Sequence, residues 1–363
     1  MVVNSLRLPV ILIAASIPYL ASAQSAQEIL LKSMVEGRRI PLTAIIQNSS
    51  GGMMSQVKLE QQKSGYTRVT VLQPLSRAGM ASIDDGKKWV TYIPDRLRLV
   101  IQESPRKNMI DPKELLRIAT RNYTFRFEAD DEVAGQKVRT ILAVPKSRDL
   151  PMRRYSVDKE TCYLLRLEVI EAGVPSTVHD TKSIKYGDGR DEKPLELNPP
   201  ERTRQIHLAP HIKMSSPTHA KRELGFEPVL PSKLPYGFVI HQRHIVKDED
   251  GRFLAVRVTD GLASGTIYQW SKSDSQQPWK FDEKLGDVEL RGVCFRVAGD
   301  MPARIRFKLL ESFIGPMRSA PEEPHRRSRT FERTETRPTE GVPDREKDTQ
   351  RPGIYTPGAP IRL

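Results

Sequence analysis

The sequence is short of the residues and motifs that announce chemistry. It has two cysteines, Cys162 and Cys294, so one disulfide at most is available and a disulfide-built scaffold is excluded. Cys162 falls at an expected hairpin turn and Cys294 within an expected strand. Two free thiols are expected, with an interdomain bridge as the alternative. No G-x-S-x-G elbow, H-E-x-x-H helix, P-loop or dinucleotide fingerprint occurs. The chain is therefore read as a non-enzyme, with no catalytic residue, metal ligand or cofactor assigned. His241 and His244 form an H-x-x-H pair, but residues three apart on a strand point to opposite faces, which does not suit metal ligation. Asp84 and Asp85 precede Gly86 in a hairpin turn, where carboxylates satisfy backbone N–H groups. Asp260-Gly261 reads the same way.

Apolar residues are also few. They make up 38% of the chain, and a mean hydropathy of −0.49 excludes a multi-span membrane protein. The one long apolar run, Leu8–Leu20, follows Arg7 and leads to Ala21-Ser22-Ala23 before Gln24. That pattern is a secretory signal peptide over residues 1–23, too short for an ordinary spanning helix. No cysteine sits near the cut to carry a lipid anchor. A soluble periplasmic protein beginning at Gln24 is expected. The net charge of +13 suits an acidic partner, an anionic membrane surface or nucleic acid. Its cations are interleaved with Asp and Glu and come with no helix-turn-helix, zinc-finger or RNP signature, so nucleic acid is not expected.

What is present is β pattern. After a helical period over Ala26–Val35, strands are expected at Ile40–Asn48, Gln56–Gln61, Tyr66–Leu72, Met80–Ile83, Trp89–Ile93 and Leu97–Ile101, with Asp85-Gly86 a type I′ hairpin signal. Asp111, Pro112 and Glu114 open a second helix in the manner of a capping box. Strands resume at Tyr123–Phe127, Gln136–Val144, Arg153–Val157, Tyr163–Ile170 and Ser176–Tyr186. So many consecutive antiparallel strands imply one large curved sheet with covering helices, in an α+β domain over 24–188. A polar, Pro-rich linker is expected over 189–222. A smaller α+β antiparallel-sheet domain follows over 223–314, with a hairpin turning at Lys247–Gly251 and a closing helix from Ala303. Residues 315–363 have the composition of a disordered tail.

Two candidate sites emerge. Val69, Val71, Phe125, Phe127 and one of Trp89 and Tyr92 could wall an apolar concavity able to hold an acyl chain, or could pack as core. On the strand after Asp260-Gly261-Leu262, the side chains of Ile267, Tyr268 and Trp270 are of the kind that anchors a partner. Tyr268 and Trp270 share a strand face, and that face is core in the alternative reading.

The stretch PSKLPYGF at Pro231–Phe238, followed by DGLAS at Asp260–Ser264, resembles the C-terminal domain of the MucB/RseB family. DDGKKWVTYIP, EVAGQKVRTILAVPK and YSVDKETCYLLRLEVIEAGVP resemble the LolA-like half-barrel that forms that family's N-terminal domain. Cys162 and Tyr163 stand where the family usually has Gly and Leu. The resemblance implies a periplasmic regulator that binds the periplasmic part of an anti-sigma factor and responds to envelope stress or a lipid. A lipoprotein carrier or lipid-binding protein of the same fold is the other implication.

Overall fold

The computed structural model describes residues 24–50, 53–187, 193–248, 251–273 and 286–319. The expected signal peptide, Trp279 and the expected tail beyond Ser319 lie outside them. Helix α1 (Ala26–Glu36) opens on a capping box: Ser25 Oγ accepts from Glu28 N at 3.2 Å and Glu28 Oε2 accepts from Ser25 N at 2.8 Å. Six strands follow: β1 (Leu42–Ser50), β2 (Met53–Gln61), β3 (Thr67–Gln73), β4 (Ala81–Asp84), β5 (Lys88–Ile93) and β6 (Arg98–Glu103). Helix α2 (Pro112–Asn122) starts at Asp111, whose carboxyl accepts from Lys113 N at 2.9 Å. Glu114 does not complete the expected box; it pairs with Arg117 one turn on, at 2.6 Å from Nε. Then come β7 (Tyr123–Phe127), β8 (Asp131–Val133), β9 (Gln136–Pro145), β10 (Met152–Asp158), β11 (Leu164–Glu171) and β12 (Val174–Tyr186).

These twelve strands and one later edge strand form a 13-stranded sheet in which β1 lies between β2 and β12, pairing Leu42 with both Gln61 and Tyr186. All pairs are antiparallel except the last edge strand, β13 (Arg204–His207), which runs parallel to β6. A 6-stranded antiparallel sheet follows: β14 (Ile212–Lys213), β15 (Val239–Asp248), β16 (Gly251–Thr259), β17 (Ser264–Ser271), β18 (Val288–Leu290) and β19 (Val293–Gly299). Helix α3 (Pro217–Leu224) precedes β15, and α4 (Ala303–Ser319) closes the described chain as the expected helix. The class is α+β, with one large and one small sheet.

The stretch read as a linker is tied to both sheets. Its β13 extends the large sheet and its β14 the small one, and α3 buries Ala220 and Leu224. The two sheets also share a core: one continuous apolar cluster contains Ile29 and Leu30 of α1 and Tyr123, Ile141 and Tyr155 of the large sheet. The same cluster takes in Leu254, Val256 and Ile267 of the small sheet and Leu309 and Phe313 of α4. The two sheets are packed against each other through buried apolar surface, which favours one relative arrangement.

Candidate functional site: the seam between the sheets

The seam is built from the end of α2, the start of β7, the middle of β10 and the Thr259–Ala263 turn. In that turn Asp260 Oδ1 accepts from Leu262 N (2.9 Å) and Ala263 N (2.6 Å), as its place before glycine leads one to expect. Its other oxygen reaches across the seam to accept from Tyr123 Oη at 2.8 Å. Asn122 Nδ2 donates to Asp260 O (2.9 Å) and Gly237 O (3.3 Å), and Arg153 donates to Asp300 O at 3.0 Å. Asp260, Tyr123 and Arg153 are all buried. Burial and the neighbouring Asp260 push the Tyr123 phenol far above its ordinary range. Burial likewise pushes Tyr155 up to about 12. Burial works against the Arg153 charge, but its acidic surroundings outweigh it and hold its pKa up: Tyr155 and Tyr123 once ionised at high pH, and the carboxyls of Asp260 and Asp300 at neutral pH. Both tyrosines therefore stay neutral, Tyr123 as the donor to Asp260, and the network is a hydrogen-bonded latch across the seam.

Two glycines let the halves meet this closely. Gly261 has φ +98°, and a Cβ there would lie 2.2 Å from Ala119 N of α2; at Gly237, φ +71°, it would lie 2.0 Å from Asn122 Oδ1.

The expected partner strand belongs to this construction and to the core. Ile267 joins the cluster shared by both sheets, while Tyr268 and Trp270 sit on the opposite face of β17 with Val246, Phe253, Ala255 and Cys294. Trp270 is 0% exposed, with the Arg296 guanidinium 5.7 Å from its ring centre. The reading of Ile267, Tyr268 and Trp270 as accessible anchors is thus corrected: each is covered by neighbouring strands. Asp260 and Gly261 are buried in the latch, and Leu262 packs half-buried against the shared core.

The expected concavity fares similarly. Val71 is buried with Val57, Leu59, Met80 and Leu165, and Val69 packs on the same cluster. The register places Val69, Val71 and Trp89 on one face and turns Tyr92 to the other. Phe125 packs against the shared core, whereas Phe127 is 42% exposed with Arg139 over its ring. The structure thus brings Val69 and Val71 together but not with Phe125 and Phe127. Neither of two surface cavities, of about 400 and 310 Å³, is lined by any of these residues.

Cys162 and Cys294 are both buried and free, and burial pushes the Cys294 thiol up to about 11, away from reactivity. Asp84 and Asp85 accept backbone N–H groups as expected, and Asp84 also receives Ser104 Oγ at 2.7 Å. No group of three metal-ligating side chains occurs among the described residues.

His244 meets a partner the sequence did not show, the ring of His211, at 6.0 Å between centroids. Burial, then the charge of Arg257, depresses its pKa to about 4, and His211 is lowered for the same reasons. The unfolded chain, with an ordinary histidine, takes up this proton first as pH falls, so stability is intact above about 6.5 and is lost on the way to about 4. We expect the wild type to lose about 2–3 kcal/mol across that window beyond the loss shown by His244→Gln, measured by urea unfolding at several pH values. Parallel profiles for the two proteins would refute it.

No family model matches the sequence, and no curated protein matches it. Solved structures do. A crystal structure of MucB superposes with a TM-score of 0.54 at 13% identity, covering 79% of this chain and 96% of that one. The MucA/MucB complex of Pseudomonas aeruginosa gives 0.53 at 13%, covering 78% and 96%, and MucB in complex with MucA(peri) gives 0.53 at 14% with the same coverage. The chain has the MucB fold. The match to MucB takes in most of the described residues and nearly the whole of MucB, so the likeness includes both sheets. No described helix is long and apolar enough to cross a membrane.

Proposed function

We propose that this protein is a periplasmic, non-enzymatic regulator that binds the extracytoplasmic part of a membrane-anchored anti-sigma factor. Binding shields that segment from proteolysis, and an envelope-stress or lipid signal releases it. The observation that carries the reading is the two-sheet match over 96% of MucB, a protein crystallised with MucA. The seam supports it physically. A buried latch of directional hydrogen bonds holds one arrangement of the two sheets, and a ligand preferring another arrangement shifts the balance by its difference in affinity. The carrier reading has less behind it, because Val69 and Val71 spend their apolar surface on core packing.

The test uses the extracytoplasmic segment of a single-span anti-sigma factor encoded beside this gene. The mature chain should co-elute with it and slow its proteolysis, and a chain ending at Ser319 should do both equally well. Separate elution with unchanged proteolysis would sink the proposal. Acyl lipid in native mass spectra of the purified chain, with no such complex, would favour the carrier.

A further inference from the structure

The larger cavity lies away from the seam. It is lined by the end of α1 (Met34, Val35), by Arg38 and Arg39 just after it, by the β2–β3 turn (Ser64, Gly65), by Arg106, and by the start of α2 from Asp111 to Lys113. Four cations thus converge from three separated stretches of chain. They face one lining carboxyl, Asp111, with Asp84 behind Arg106. Among the lining side chains cations thus outnumber carboxyls.

The site is also built. Arg106 is fixed by Asp84 Oδ2 at 3.1 Å from Nε, by Thr67 Oγ1 at 2.9 Å and by the carbonyl of Gly65. Arg38 donates to Met109 Sδ at 3.4 Å, and its charge is disfavoured first by burial and then by Arg106. Arg39 and Lys113 have no carboxyl partner among the described residues. Holding like charges together around one cavity costs free energy that a bound anion recovers. A guanidinium presents paired donors that match phosphoryl oxygens, and the N-terminal end of α2 adds its dipole.

We propose that this cavity binds the phosphoryl dianion of a phosphate monoester. Donors arriving from three stretches of chain suit the several oxygens of a phosphoryl group better than the two of a carboxylate. The volume of about 400 Å³ leaves room beyond the phosphoryl group, and Met34, Val35 and Pro112 offer apolar cover for the carbon attached to it. The ester reaches the site either free in solution or as a lipid headgroup.

The experiment titrates the mature chain with inorganic phosphate and with glycerol 3-phosphate by calorimetry. In parallel, the chain is sedimented with phosphatidylcholine vesicles carrying phosphatidic acid, a monoester, or phosphatidylglycerol, a diester. Arg39→Gln/Lys113→Gln removes two rim cations and spares the clamped Arg106; an unchanged melting temperature confirms its fold. Saturable glycerol 3-phosphate binding, weakened about 10-fold or more in the double variant, is expected; a 10-fold loss corresponds to about 1.4 kcal/mol. Binding of the soluble ester alone supports a free ligand, and added preference for phosphatidic acid over phosphatidylglycerol supports a headgroup. The proposal is overturned by no binding of either soluble phosphate, or by equal binding in the double variant. Equal sedimentation with both anionic lipids, unchanged by the substitutions, would show diffuse charge attraction and also overturn it. None of these outcomes bears on whether the anti-sigma segment binds.

Discussion

Replacing Gly261 with alanine should cost this protein about 3–5 kcal/mol, more than most surface or loop substitutions can. Two penalties combine. The backbone at φ +98° is one that L side chains avoid, worth about 1–3 kcal/mol. The added Cβ must also displace Ala119 N and Leu115 O, at 2.2 and 2.6 Å, and these are helix backbone atoms that cannot swing aside as a side chain does. Overpacking of this kind adds about 1–3 kcal/mol. Relief comes only by moving α2 off the Thr259–Ala263 turn, which also breaks the Tyr123–Asp260 bond. The expected readout is a melting temperature lowered by roughly 10 °C, at 2–4 °C per kcal/mol for a chain of this size. Gly86→Ala, at φ +81° with nothing within 4 Å of the new Cβ, is the control and should cost far less. Equal losses at the two positions would show that the seam is not tightly packed.

Trp270→Ala should be comparably severe, about 3–5 kcal/mol, because the indole fills the space among Val246, Phe253, Tyr268 and Cys294 and leaves a cavity when removed. The value of this variant lies in separating core from surface. If Trp270 is core, any loss of partner binding scales with the unfolded fraction and disappears when binding is measured at a temperature where the variant is folded. A variant that unfolds like wild type in urea yet fails to bind the anti-sigma segment would restore Trp270 as a contact residue.

Much of the fold was legible because hairpins and helix starts are local. Asp84-Asp85-Gly86 specifies its turn with its own carboxylates, and Asp111-Pro112 begins α2 where the sequence places it. The strands missed, β8, β13 and β14, are two to four residues long and polar, so they carry no period to detect. Their partners supply the pattern instead. The sites were less legible for a related reason. Alternation shows that Tyr268 and Trp270 share a face, but only Phe253 and Cys294 on neighbouring strands decide that the face is covered. The Asp260-Gly261 pair announces a turn, while Tyr123, which makes it a latch, lies 137 residues earlier in the chain. Arg38, Arg106 and Lys113 are unremarkable cations until the chain brings them to one cavity.

The position of β1 has a consequence for how the chain reaches its native state. Its two neighbours are β2, next in sequence, and β12, which pairs Leu42 with Tyr186 near the end of the large sheet. One edge of β1 can be satisfied early by a local hairpin, but the other waits until nearly the whole domain has been delivered. Closing so long a loop before its contacts form is entropically slow, and proteins dominated by such pairings fold late. Until Tyr186 arrives, the second edge of β1 stays unpaired, a template on which a strand from another chain could add.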